Sequence, residues 1–466
     1  MLLRWLRSLV GRVRQLAVPL DTGPIVPPVD ERNAWWVELL VLLDQVGAAP
    51  TADAAARTLR DRLRTLDAAR WVRADDQLRG WLWSYEYSRS LGWLGGEADV
   101  RRLAVPPETE AAVFGLLASH SSGFVREAAV RRLALVGDGG EMPPLLLRAN
   151  DRVPQVRGRA VEALHARLVP AYAGAWVRWV GLALRLGGPG REDVRPLLDA
   201  VMALLRSPEA EDAVWTGLRS PQKVVRRTCF GILERAGGPG LRRLAEESLR
   251  GEDVVIRRGA ARVAGALDDA SLAAVLPGLV RDPLPQVRRD ALALAAERVG
   301  ADALPWLREA LLDRSAGVRA EARAALQRLA PMDFAAFYRE QVSGDGARLA
   351  AAVAGLADTG GGEDVELVRP LLDHPRPRVR AAAVRAVARL GGRPAVPAVL
   401  AAVRDANRSV SRAAAMALRD AAGGIGVGQL GTLYLDSAEA HVRQNALSLL
   451  IARGKWQSIP WILRAL

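Results

Sequence analysis

One short frame recurs along this chain at an almost constant interval. An apolar residue followed by arginine stands at Val125-Arg126, Val156-Arg157, Val225-Arg226, Ile256-Arg257, Val287-Arg288, Val318-Arg319, Val379-Arg380 and Val442-Arg443, and Val410-Ser411 keeps the frame without the arginine. Successive apolar positions are separated by 31, 69, 31, 31, 31, 61, 31 and 32 residues. The 61 reads as two periods with a worn copy at Ala347-Arg348, and the 69 as one or two degenerate units around 171–206. A fixed period of this length means one supersecondary unit copied along the chain.

Small and apolar residues follow each frame valine at helical spacing. Val287, Ala291, Leu292 and Ala295 make one stripe, closed by Gly300, and Val379, Ala383, Val384 and Val387 make another, closed by Gly391-Gly392. The stripe predicts an amphipathic helix of about three turns, and the glycines supply the left-handed backbone that ends it. A second apolar segment then opens with proline, as in Leu304-Pro305-Trp306-Leu307 and Val396-Pro397. Proline fits a first helical turn, where its missing donor has no partner to lose. A pair of helices this short cannot bury its apolar faces alone, so stacked neighbours must complete the core. The fold class expected is all-α, an α-solenoid (α/α superhelix) of helix pairs.

In three copies an aspartate lies six residues before the arginine: Asp151/Arg157, Asp282/Arg288 and Asp313/Arg319. In these residues the chain resembles the HEAT-repeat family, particularly the short bacterial type named after phycobilisome lyases. The resemblance covers roughly 107–466. It implies that these aspartates and arginines form a ladder between adjacent repeats, and that the array serves as a binding scaffold. Fold alone does not fix function.

Outside the frame, residues 1–18 read as a basic amphipathic helix, with Leu2, Trp5, Leu6, Leu9 and Val13 on one stripe and Arg4, Arg7, Arg12 and Arg14 off it. It is expected to dock on the protein, with peripheral membrane contact as the alternative. Prolines mark 19–29 as a linker. Residues 30–106 read as a divergent tryptophan-rich module with helices near 31–47, 51–70 and 76–94, and 107–466 as the array. Ile459-Pro460-Trp461-Ile462 matches Leu304-Pro305-Trp306-Leu307, so the array is expected to end in a half-repeat.

The chain carries 65 basic and 52 acidic residues, and only Lys223 and Lys455 among the basic ones are lysine. The excess is spread along the chain. Cys229 is the one cysteine, so no internal disulfide or cysteine-built metal site exists. It falls on the core stripe, where a buried inert thiol is expected. His120, His165, His374 and His441 lack the spacing of a metal pair, and no His-Glu doublet of the diiron HEAT hydroxylases occurs. The acidic doublets Asp75-Asp76, Asp268-Asp269 and Glu363-Asp364 read as helix caps. Gly426-Val-Gly428-Gln-Leu-Gly431 matches the dinucleotide fingerprint in letters, but a repeat helix precedes it where a strand is required.

A second arginine follows the frame arginine at Arg227, Arg258 and Arg289, on the 31-residue period. Such a stripe can meet phosphates or an acidic peptide. The function expected is a non-catalytic scaffold or adaptor that binds one or more proteins along a concave, arginine-bearing surface. Arg227, Arg258, Arg289, Trp81 and Trp83 are its candidate contacts. No catalytic, cofactor or metal site is expected, and the cytoplasm is the default location. The alternatives are nucleic-acid binding, similar to the HEAT-like alkylpurine DNA glycosylases, and an enzyme partner resembling bilin lyases.

Overall fold

The computed structural model describes residues 34–47, 50–81, 96–186, 194–344 and 346–464. The expected helix at 1–18, the linker 19–29 and Trp83 lie outside them, as does the side chain of Trp81. The described residues are helical, with no strand among them, and the chain divides into two compact units, 1–237 and 238–466. Each is an α-solenoid stack of helix pairs.

The frame fixes the second helix of each pair. In Pro285–Arg298 proline takes the first turn, Val287, Ala291, Leu292 and Ala295 are buried, and Gly300 ends the run at φ +63°. Gly237, Gly392 and Gly454 have positive φ at the same place in other pairs. Four residues after the frame residue stands Ala129, Ala160, Cys229, Ala260, Ala291, Ala322, Ala383, Ala414 or Ala446, none more than 1% exposed. Only a small side chain allows neighbouring second helices to approach there, so Cys229 serves as an alanine substitute. Burial pushes its thiol up to about 12.

First helices are shorter. Leu304–Ala310 spans seven residues behind a tight turn over Gly300–Ala303, with Pro305 in its first turn. In the second unit Val254–Gly265 packs on Pro285–Arg298, that on Ala316–Leu329, and Leu349–Thr359, Pro377–Gly391, Arg408–Leu418 and Ala440–Arg453 pack in series.

Between Pro154–His165 and Lys223–Ala236 there is one degenerate pair, Ala173–Leu186 and Arg195–Leu205, where one or two were expected, then the first helix Glu211–Gly217. Two details differ from the expectations. The worn copy is at Leu349, not Ala347. Leu349 is buried and lies 31 residues after Val318, whereas Arg348 is exposed and reaches Glu309 at 2.8 Å. Among the described residues of the N-terminal region the helices are Ala34–Val46, Ala52–Arg64, Ala68–Trp81 and Glu97–Arg102. Asp67 accepts the Arg70 amide at 2.8 Å and starts the third of these well before 76.

Candidate functional site

The frame arginine works inside its own repeat first. Arg126, Arg157, Arg226, Arg257, Arg288, Arg319, Arg380 and Arg443 each donate to the backbone carbonyl six residues earlier, at 2.7–3.0 Å. That bond closes the turn that opens the second helix. The carboxylate at the turn serves the preceding repeat. Arg126 bonds Asp151 at 2.8 and 2.9 Å, Arg257 bonds Asp282 at 2.7 Å, Arg288 bonds Asp313 at 2.7 and 2.8 Å, and Arg380 bonds Asp405 at 2.7 and 2.9 Å. Within Asp151/Arg157, Asp282/Arg288 and Asp313/Arg319, therefore, the arginine takes the aspartate's carbonyl and leaves its carboxylate to a neighbour. The sequence reading missed Arg126, Arg257, Arg380 and Asp405, although an acid 25 residues after the arginine marks each pair.

The same carboxylates cap the helix that follows. Asp151, Asp282, Asp313 and Asp405 accept the amide two residues on, at 2.7–3.0 Å. Where the turn residue is not acidic another acceptor replaces it: His120 Nδ1 takes Ser122 N–H at 3.0 Å, His374 Nδ1 takes Arg376 N–H at 3.1 Å, and Ser220 Oγ takes Gln222 N–H at 3.2 Å. Two of the four histidines are thus turn caps that must be unprotonated at Nδ1. Burial, with Arg126 nearby, lowers His120 to about 4.

A second set of arginines binds the other end of the second helices. Arg167, Arg298 and Arg453 each lie eleven residues after a frame valine. Arg167 donates to the carbonyls of Leu133 and Ala134 at 3.2 Å and to that of Val136; Arg298 donates to Gly265 and Leu267 at 3.4 and 3.1 Å. Arg453 reaches Ala422, Gly423 and Ile425. These carbonyls, at or just beyond the end of the preceding second helix, have no partner of their own within it. One forked guanidinium satisfies several, which a lysine ammonium does poorly. Much of the basic excess is therefore structural.

The stripe arginines project outward. Arg227 in the first unit and Arg258 and Arg289 in the second are all exposed. Arg258 and Arg289 hold equivalent places on the packed helices Val254–Gly265 and Pro285–Arg298, and Arg289 lies 3.3 Å from Asp290. The matching positions elsewhere are Glu127, Gly158, Ala320, Ala381 and Gln444, with an isolated arginine again at Arg412, so only Arg227, Arg258 and Arg289 follow one another in successive copies.

The first unit contains a cleft of about 530 Å³ between helices Ala52–Arg64, Ala68–Trp81 and Ala173–Leu186. Its volume falls in the range of small-ligand sites. Trp71 and Trp179 form apolar wall, each 4% exposed, and Arg60, Arg64, Arg178 and Asp138 carry its charge. The Arg178 guanidinium lies 5.2 Å from the Trp179 ring and donates to Arg64 O at 2.9 Å. Arg64 approaches Asp138 at 3.8 Å, and Gly139 turns the lining loop at φ +83°. Arg60 is paired with Asp61 at 2.8 Å, so the guanidinium of Arg178, stacked on Trp179, carries the net positive charge of the cleft. The side chains of Trp81 and Trp83, the expected aromatic contacts, lie outside the described residues; among the described ones, Trp71 and Trp179 line this cleft.

Asp75 departs from its expected capping role. It is buried in the middle of Ala68–Trp81 and pairs with the buried Arg148. Asp268 caps Ser271 N–H at 2.8 Å, and Asp364 takes Gly361 N–H at 2.9 Å and Arg339 at 2.6 Å. Gly428 and Gly431 lie inside the helix Val427–Asp436, and a Cβ on Gly431 would overlap the Trp461 ring, so this glycine serves helix packing. Among the described residues no cluster of three or more His, Cys, Asp or Glu side chains has metal-site geometry, and no helix is long and apolar enough to cross a membrane.

Residues 341–419 match the HEAT-repeat family, a stretch that contains the frame copies at Leu349, Val379 and Val410. These are HEAT repeats. No curated protein matches the chain. Among solved structures, the karyopherin Kap121p bound to the extreme C-terminus of the protein phosphatase Cdc14p is 13% identical, at a TM-score of 0.36, over 98% of this chain and 57% of that one. Yeast importin-beta (Kap95p) is 13% identical at 0.34, over 98% and 61%. Human deoxyhypusine hydroxylase in complex with glycerol is 20% identical at 0.23, over 55% and 99%. The chain thus spans less than two thirds of either karyopherin. At these scores the likenesses carry no argument about partners or activity, and the HEAT reading stands on the family match and on the repeat geometry.

Proposed function

We propose that this HEAT-repeat protein is a non-catalytic scaffold that binds acidic segments of partner proteins on the outward face of its second helices, through Arg258 and Arg289 in the second unit and separately through Arg227 in the first, with the tryptophan-walled cleft of the first unit as a second contact. One observation supports it above the others. At adjacent positions the first arginine is held in the seam and the next is exposed: Arg257 beside Arg258, Arg288 beside Arg289. The ladder thereby fixes the stretch of helix from which each exposed arginine projects, a preorganisation of the backbone that lowers part of the ordering cost of binding.

The test is capture of partners from the native host by the full chain, with and without nuclease, for the natural sequence and for the triple variant Arg227→Glu/Arg258→Glu/Arg289→Glu. Protein partners that survive nuclease and are lost with the triple variant are the expected result. Partners that vanish on nuclease treatment would move the stripe to nucleic acid. Undiminished capture by the triple variant would remove the stripe from the function.

A further inference from the structure

The second unit contains one interruption in its stacking. Ala316–Leu329 and Leu349–Thr359 meet over only a short stretch, whereas the pairs of second helices on either side pack along their lengths. The ladder fails at the same place. The residue 25 after Arg319 is Gly344, so the expected acid is missing. Arg319 turns instead to Asp358, at the far end of the next second helix, with Nη2 2.8 Å from Oδ2.

Other arginines gather on the same carboxylate. Arg323 Nη1 lies 3.5 Å from Oδ2 and Arg389 Nη1 3.1 Å from Oδ1. Arg385, one turn before Arg389, is close enough to Arg319 that burial and this like charge lower its guanidinium pKa. Three guanidinia thus surround a single carboxylate with the charge of Arg385 beside one of them, and among the described residues no other carboxylate comes within 4.0 Å of any of the four. The inner side is shielded, with the Arg319 side chain 4% exposed and that of Arg323 17%, while Arg389 is open at 63%. Uncompensated positive charge beside buried side chains is unfavourable. Forked guanidinia arranged this way match the oxygens of a tetrahedral oxyanion, which can take several charge-assisted bonds at once.

We propose that Arg319, Arg323, Arg385 and Arg389 form a binding site for a phosphate-class dianion, with Asp358 holding the arginines in place. The site is separate from the stripe of the scaffold reading and does not depend on it.

The experiment titrates the full chain with inorganic phosphate against chloride at constant ionic strength, following thermal unfolding and heat of binding. Saturable binding is expected. The double variant Arg385→Gln/Arg389→Gln, at two positions off the ladder, should weaken it by about tenfold or more. Arg258→Gln/Arg289→Gln should leave it unchanged. A phosphoserine peptide and its unphosphorylated twin separate the sources. Preference for the phosphopeptide over free phosphate assigns the group to a partner protein, and equal affinity assigns it to a free anion. Absence of a saturable response, or equal weakening by both double variants, overturns the site.

Discussion

Two aspartates, one in each unit, collect several arginines, and they are balanced differently. Asp151 in the first unit is fully buried and takes Arg79 at 2.8 Å, Arg126 at 2.8 Å and Arg148 at 3.3 Å, while Asp75 joins Arg148 and Asp76 adjoins them. Three arginines thus meet two paired aspartates, with the exposed Asp76 close enough to feel Arg79 and Arg148 and balance the third charge. Burial drives the Asp151 carboxyl up, but bonds from Arg126 and the Val153 amide, with the charge of Arg148, outweigh it and hold the group below the usual carboxylate range. Asp358 in the second unit has as many arginine neighbours, a fourth nearby, and no companion acid among the described residues. A neutral, closed cluster ties helices together. A charged, half-open one retains capacity for a further anion.

The largest expected effect is at the closed cluster. Asp151→Ala strands the buried Arg126, leaves Arg148 with Asp75 alone, and should cost about 3–5 kcal/mol, read from denaturant unfolding with amide exchange following residues 110–165. An equal cost for Asp358→Ala would erase the distinction between the clusters.

Next comes the turn that precedes Arg126. His120 caps that turn as a neutral ring and its folded value, about 4, lies below the ordinary 6.5. A base whose folded pKa is depressed binds fewer protons folded than unfolded, so stability is full above 6.5 and declines as pH falls toward 4. The loss at the bottom of that window is up to about 3 kcal/mol. His120→Ser copies the hydroxyl cap seen at Ser220 and should flatten the profile between those limits; an unchanged slope would assign the decline to other groups.

Smaller again, Asp358→Asn should destabilise the second unit by about 1–2 kcal/mol in chloride, and by less in phosphate, where an anion replaces the lost charge. A cost independent of the anion would make the two clusters alike. Least of all, Arg258→Ala with Arg289→Ala should stay within about 0.5 kcal/mol in thermal unfolding, since neither arginine is in the seam.

The repeat fold was readable because its cause is periodic. The frame valine, the alanine four residues later and the closing glycine are each dictated by helix geometry and recur in step. What was missed had no local complement to reveal it. Arg167, Arg298 and Arg453 bind backbone carbonyls, which every residue carries and no letter marks. Asp75 and Arg148 lie 73 residues apart in a region without the frame, so nothing in the sequence pairs them. The turn aspartates and frame arginines were expected to form a ladder between adjacent repeats, as Arg288 and Asp313 do, but Arg126, Arg257, Arg380 and Asp405 were not placed in it, because six residues within a unit is easier to see than 25 between units. The break near Gly344 was visible only as a spacing of 61, and a misplaced copy at Ala347 concealed the missing acid.

The double tying of the second helices, by frame arginines at their starts and carbonyl-binding arginines at their ends, has a mechanical consequence. A load drawn along the stack is carried from one helix to the next by guanidinium bonds as well as by apolar contact. In the second unit that transmission is thinnest between Ala316–Leu329 and Leu349–Thr359, where the packing is short and one carboxylate anchors three arginines. Pulled from its ends, the unit has a built-in point of first yield there, and an anion seated among those arginines would raise the force at which it parts.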